Sequence, residues 1–89
     1  MKETRVQIVN RLGLHARAAA KFVHLANSFS ARITVAKDTV RVDGKSMLGL
    51  LTLAAARGAR LVLAADGDDE EQALRELSTL VSGRFGEDE

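Results

Sequence analysis

The spacing of apolar residues changes abruptly along this chain, and the changes constrain its fold more than any other feature. From Thr4 to Val9 apolar and polar residues alternate, as in a strand with one buried face. In residues Ala16–Phe29 the apolar positions instead recur every three or four residues, opposite Arg17, Lys21 and His24. The chain therefore predicts a strand followed by an amphipathic helix with a basic outer face.

The middle of the chain predicts a hairpin of two short strands. Residues 31–36 and 39–42 are β-branched runs separated only by Lys37-Asp38. In this hairpin the side chains expected to face the core are those of Ile33, Val35, Val40 and Val42.

Three more elements complete the prediction. Ser46 is a good N-cap for a second helix over residues 47–55, and the apolar run at residues 59–65 indicates an interior strand. A third helix is expected to start after Asp68 or Asp69 and to end at Gly83, with Leu74 on its buried face.

The predicted order βαββαβα corresponds to an α+β fold. Polar residues occupy every second position of the first three strands, so one sheet face should be solvated and all three helices should cover the other. This is a two-layer open-faced β-sandwich with a four-stranded antiparallel sheet. We expect a single domain over residues 1–89, with a core at about 4–83 and an acidic tail at 84–89.

Composition excludes several protein classes. The chain has no Cys, which rules out a disulfide framework and a thiolate zinc site. It has no apolar run long enough to span a membrane, and His15 and His24 are nine residues apart without a carboxylate nearby. We therefore expect a cytoplasmic protein without membrane insertion, bound metal or cofactor.

The formal charge of +1 conceals an asymmetry along the chain. Residues 1–65 contain eleven basic and three acidic residues, whereas residues 66–89 contain two basic and nine acidic residues. The bases Arg11, Arg17, Lys21 and Lys45 lie in the positive part, where they could attract an acidic partner and hold an anion.

His15 is the residue with the clearest chemical potential. It immediately precedes the first helix, so the free N–H of Ala16, the helix dipole and the Arg17 guanidinium could together hold a phosphate attached to the ring. Phosphoryl groups on imidazole are labile, which suits a reversible carrier better than a hydrolase. The arrangement alone leaves open that His15 is merely an exposed loop histidine. A Ser-His-Asp triad is disfavoured, because only Glu3 is acidic before Asp38.

The second helix offers two further candidates. Ser46 is first of all a cap, but phosphate there would be tolerated at a helix N-terminus. Residues 47–53 contain more apolar side chains than one buried face can use, so they predict either an exposed docking patch or a fully buried segment.

Two motifs, Gly13–Arg17 (GLHAR) and Lys45–Leu53 (KSMLGLLTL), closely resemble those of HPr, the histidine phosphocarrier of the bacterial phosphoenolpyruvate-dependent phosphotransferase system. The similarity extends from about Val6 to Gly83. It implies that His15 accepts a phosphoryl group at Nδ1 from phosphorylated enzyme I and passes it to a IIA component. It also implies that Arg17 contacts the phosphoryl group and that HPr kinase/phosphorylase can modify Ser46.

In that family the docking surface combines the first two helices, which here gives a docking face formed by Arg17, Ala20, Lys21, His24, Met47, Leu48 and Leu51. The family usually has Pro at position 18 and often Thr at position 20, and this chain has Ala at both. Ala18 retains an N–H that Pro lacks and that could donate to phosphate.

The resemblance implies a carrier, not a turnover enzyme, and we expect a monomer. The alternatives are a carrier of the nitrogen-related branch, or one with purely regulatory output. A small module that binds nucleic acid or a metabolite is less favoured, because the chain has three Phe, no Tyr and no Trp for base stacking.

Overall fold

A computed structural model describes all 89 residues of the chain. Its elements follow the predicted order and are β1 Lys2–Gln7, α1 Ala16–Ala26, β2 Arg32–Lys37, β3 Val40–Asp43, α2 Met47–Thr52, β4 Arg60–Asp66 and α3 Glu70–Ser82, followed by a single 3₁₀ turn at Arg84–Gly86.

The four strands form one antiparallel sheet in the order β1-β4-β2-β3. The interior strand β4 pairs Leu63 with Thr4 on one side and with Val35 on the other. Alternate residues point to opposite faces, so Ile33, Val35, Leu61 and Leu63 are buried, whereas Arg5, Arg32, Arg41 and Arg60 are exposed. The α+β open-faced sandwich with its helices on one side of the sheet is therefore confirmed.

The core lies between the sheet and the helices. Its largest fully buried side chains include Phe22 of α1, Leu50 of α2 and Leu77 of α3, packed over Ile33 and Leu63. Gly49 lies at N3 of α2, where its N–H donates to the side chain of the Ser46 cap.

Several predicted boundaries and contacts are wrong. Helix α1 ends at Ala26 instead of Phe29, because the N–H groups of Ser28 and Phe29 bond three residues back and close the last turn. Helix α2 ends at Thr52, since Ala54 has a positive φ of 48°. Val40 is 50% exposed at the start of the short edge strand β3, not part of the core.

Asp69 occupies the N-cap position of α3, but its side chain does not cap that helix. Its carboxylate accepts hydrogen bonds from the main-chain N–H groups of Ser30 and Ala31, both at 2.9 Å. These bonds, led by that from Ser30, lower the pKa of Asp69 below its ordinary value. Asp69 therefore fastens the start of α3 to the loop before β2.

The loop between β1 and α1 is fixed against the segment that follows α2. The N–H of Leu14 donates to the Ala55 carbonyl at 2.9 Å, and both residues are buried. Gly13 has φ +70°, and a Cβ at this position would lie 2.7 Å from the same carbonyl oxygen. Only glycine fits this close approach, which sets where His15 enters the first helix.

Candidate functional site

His15 lies at the N-cap of α1. Its backbone is extended, its carbonyl accepts the first helical hydrogen bond from Ala19, and its ring makes no capping bond. The N–H groups of Ala16, Arg17 and Ala18 have no intrahelical acceptor, as the first turn of any helix requires. His15 therefore lies at the positive end of a helix, where the first N–H groups are unpaired within the helix.

The ring of His15 contacts the carboxylate of Glu87, through Nε2 and Oε2. The other carboxylate oxygen, Oε1, accepts a hydrogen bond of 3.0 Å from Nδ2 of Asn10. The Asn10 hydrogen bond, followed by the one to His15, lowers the pKa of the Glu87 carboxyl. Because Nε2 is hydrogen-bonded to Glu87, Nδ1 is the ring nitrogen that remains free to react.

The residues expected to form an acidic tail instead pack against the site. Phe85 is 1% exposed and belongs to the core cluster, between α1 and α3. Its carbonyl accepts a hydrogen bond from Lys21 Nζ at 2.7 Å, and Arg11 pairs with Glu89 at 3.0 Å. The core thus extends beyond residue 83, because burial of the Phe85 ring holds this segment in place.

Sequence reasoning therefore missed Asn10 and Glu87. The signal that could have revealed Glu87 is Phe85, a large apolar residue in an otherwise polar stretch after Gly83. Asn10 gave no comparable signal, because its burial and its bonds to Gly13 and Glu87 depend on tertiary packing.

The four bases that the charge pattern grouped together differ in their partners within the structure. Arg11 pairs with Glu89, Lys21 with the Phe85 carbonyl, and Lys45 donates to the Phe29 carbonyl at 2.7 Å. Arg17 is exposed, has no hydrogen bond or ion pair within the chain, and lines the same open depression as His15 and Ala16. Arg17 is thus the base available to an incoming anion.

Ser46 is the N-cap of α2, and its Oγ accepts a hydrogen bond of 3.0 Å from the N–H of Gly49. The residue is partly exposed, so the cap can be reached from solvent. Its predicted capping role is confirmed, and its predicted regulatory role stays a prediction.

The predicted docking face lies on α1 and α2, which pack against each other. Leu48 is 74% exposed and Leu51 is 39% exposed, so the alternative of a fully buried segment is wrong. Met47 is half-buried and packs on the core, which makes it a weaker surface candidate. The members on α1, Arg17, Ala20, Lys21 and His24, are all exposed.

No group of three or more His, Asp or Glu side chains is arranged to hold a metal ion. No helix combines the length and the apolar character needed to cross a bilayer.

The fold and this site together define a class, that of small α+β open-faced sandwich proteins with a histidine at the N-terminus of the first helix. Comparison of the chain with known protein families identifies the particular family. A family model described as "PTS HPr component phosphorylation site" matches residues 2–83. The chain belongs to the HPr family of histidine phosphocarriers of the phosphotransferase system.

Individual relatives agree with this assignment. The chain is 47% identical to phosphocarrier protein HPr of Neisseria meningitidis serogroup A over 89 residues, covering 100% of both chains. It is 41% identical to phosphocarrier protein NPr of Shewanella violacea, covering 96% of this chain and 93% of the relative. The crystal structure of HPr-C-His from Thermoanaerobacter tengcongensis superposes with a TM-score of 0.96 at 45% identity, covering 100% of both chains.

Proposed function

We propose that His15 accepts a phosphoryl group at Nδ1 from phosphorylated enzyme I and delivers it to a IIA component. The observation that carries this proposal is the position of the ring: it stands at the N-terminus of α1, beside Arg17, with Nε2 engaged elsewhere. Membership of the HPr family supports the same role.

The chemistry is a displacement at phosphorus. The Nδ1 lone pair attacks the phosphoryl group while its bond to the donor breaks, and that electron pair returns to the donor. The transferred group carries its charge on three oxygens, which the Arg17 guanidinium and the free N–H group of Ala16 can hold, whereas Ala18 is fully buried. Transfer to the IIA component repeats the step with His15 as the leaving group.

Incubation with phosphoenolpyruvate and enzyme I tests the proposal. We expect one acid-labile phosphate per chain, and none in the variant His15→Ala. The matched control is His24→Ala, which removes the only other histidine and should still be labelled. Labelling of His15→Ala, or none of the unaltered chain, would contradict the proposal. Arg17→Ala should keep the site but slow the transfer about tenfold or more, as loss of one charge-stabilising donor does.

We also propose that phosphorylation of Ser46 by HPr kinase/phosphorylase weakens acceptance from enzyme I. A phosphate would add about −1.5 to −2 charges at the start of α2. These charges would lie next to Met47 and near exposed Leu48, on the docking face. Because Ser46 lies at the N-terminus of α2, where a phosphate is tolerated, the modification should form without disrupting the fold.

The Ser46 proposal is tested with ATP and the kinase. We expect an acid-stable phosphate that the variant Ser46→Ala loses and Thr52→Ala keeps, since Thr52 is an exposed hydroxyl on the same helix. The modified protein should accept phosphate from enzyme I more slowly. An unchanged rate would contradict the regulatory role.

A carrier of the nitrogen-related branch is the second candidate, favoured by the similarity to NPr. Side-by-side phosphorylation by the enzyme I of each branch would discriminate the two, because the true donor should act faster at equal concentration. We further propose that the chain acts as a monomer in the cytoplasm, which light scattering and cell fractionation would test.

A further inference from the structure

Glu87 meets the ring of His15 on the edge opposite to the reacting nitrogen. The carboxylate contacts Nε2, and its side chain is only 18% exposed. An ionised carboxylate has no proton to donate. The hydrogen bond therefore requires that Nε2 carry the proton, which leaves Nδ1 with a free lone pair.

Two independent anchors fix Glu87 in this position. On one side, Asn10 donates from Nδ2 to Glu87 Oε1 at 3.0 Å and to the Gly13 carbonyl at 2.8 Å, and Asn10 is fully buried. On the other side, Phe85 is buried two residues earlier. The His15 ring, the Glu87 carboxylate and the Asn10 side-chain amide thus form one continuous hydrogen-bonded chain.

We propose that Glu87 is a positioning residue that holds the proton on Nε2 of His15 throughout the phosphoryl-transfer cycle. The part that concerns transfer rests on the proposed carrier function. Before transfer, Glu87 selects the tautomer whose Nδ1 can attack phosphorus. After transfer, it stabilises the positively charged phosphoimidazole ring, whose Nε2 remains protonated.

The retained proton determines how the phosphoryl group leaves. When the acceptor attacks phosphorus, the P–Nδ1 bond breaks and its electron pair returns to the ring. With Nε2 protonated, the product is neutral imidazole, and without that proton it is the far less stable imidazolate. Glu87 therefore favours both acceptance and release while its carboxylate touches neither the donor nor the phosphoryl group.

Nitrogen NMR of the unphosphorylated protein tests the first half without any phosphoryl donor. In spectra at alkaline pH the unaltered chain should show His15 with Nε2 protonated and Nδ1 unprotonated. In Glu87→Gln the ratio of this tautomer to the other should fall about tenfold, the effect of losing one hydrogen bond to a charged group.

The matched control is Asp88→Asn. This variant removes the same charge from the same depression, but Asp88 is exposed and the ring's hydrogen bond and ion pair are with Glu87, not Asp88. It should leave the tautomer ratio unchanged. Equal shifts in both variants, or no shift in Glu87→Gln, would overturn the proposal. Proton–nitrogen spectra should confirm that both variants keep the fold and that the N–H groups of Gly86 and Glu87 stay protected.

The lifetime of the phosphorylated protein tests the second half. At neutral pH we expect phosphate loss to be up to about tenfold slower in Glu87→Gln and unaltered in Asp88→Asn. A lifetime no longer than that of the unaltered protein would overturn this half. Failure of the unaltered chain to accept phosphate from enzyme I would contradict the proposed function, whereas the tautomer measurement would still decide the role of Glu87.

Discussion

Replacing Phe85 by Ala tests whether residues 84–89 are a structural part of the domain. The ring is 1% exposed and lies between α1 and α3. The same segment holds Glu87 against His15. The substitution should therefore affect both the free energy of unfolding and the phosphorylation site.

The magnitude depends on whether the segment remains bound. Deleting a buried Phe ring costs about 3–5 kcal/mol when the surroundings stay in place. Arg84 and Phe85, however, have positive φ values of 60° and 54°, which cost roughly 1 kcal/mol each. Release of the segment removes that strain and limits the loss. We therefore expect a decrease of about 1–3 kcal/mol in the free energy of unfolding.

Denaturant unfolding measures the decrease in the free energy of unfolding, and hydrogen exchange shows which residues become unprotected. Protection should disappear for residues 84–89 while the strands keep theirs, and the His15 ring should lose its contact to Glu87. Phe22→Ala is the control, because Phe22 is equally buried inside α1 and cannot detach alone. It should cost the full ~3–5 kcal/mol. A loss below about 0.5 kcal/mol for Phe85→Ala would refute this reasoning, since that is the range of ordinary surface substitutions.

Three further substitutions test local features of the structure. Gly13→Ala should lower the free energy of unfolding by at least about 2 kcal/mol, because the new Cβ would lie 2.7 Å from the Ala55 carbonyl oxygen at a positive φ; an unchanged urea midpoint would contradict the close approach. Ala54→Gly should raise the free energy of unfolding by about 0.5–1 kcal/mol, because Ala54 follows the end of α2 with a φ of 48°; a lower urea midpoint would count against the strain. The pKa of Asp69 is lowered in the fold, first by the hydrogen bond from the Ser30 N–H. The stability that its carboxylate contributes is therefore fully present above the ordinary pKa of 3.8 and is lost as pH falls through the lower folded pKa. Asp69→Asn should flatten this dependence of the free energy of unfolding on acidic pH in urea titrations, and an identical pH profile would contradict the prediction.

Periodicity was sufficient to predict the order of elements, because each element obeys a local rule. The alternation before Asn10 and the helical spacing after His15 are visible without any tertiary information. Helix ends were less predictable. Phe29 fits the helical spacing of α1, yet its N–H bonds to Ala26 in a tighter turn beyond the helix. Val40 fits the strand pattern, but it lies where an edge strand has little to pack against.

The residues of the candidate site likewise differ in whether the sequence alone could indicate them. His15, Arg17 and Ser46 could be proposed from the sequence because each lies at or beside a predicted helix start, and the structure shows those helix starts. Glu87 could not be proposed from the sequence, because its contact with His15 joins residues 72 positions apart. Charge counting likewise grouped Lys21 with the available bases, although its ammonium group is bonded to the Phe85 carbonyl.

The contact between His15 and Glu87 has a consequence for the order of events during synthesis. The ribosome adds about 5–20 residues per second, so the 72 residues that separate the pair take about 4–14 s to make. During that interval His15 exists without the carboxylate that contacts its ring in the folded chain. The sheet is delayed in the same way, because β1 must wait for β4. A growing chain therefore cannot form the contact between His15 and Glu87 until residue 87 has been added.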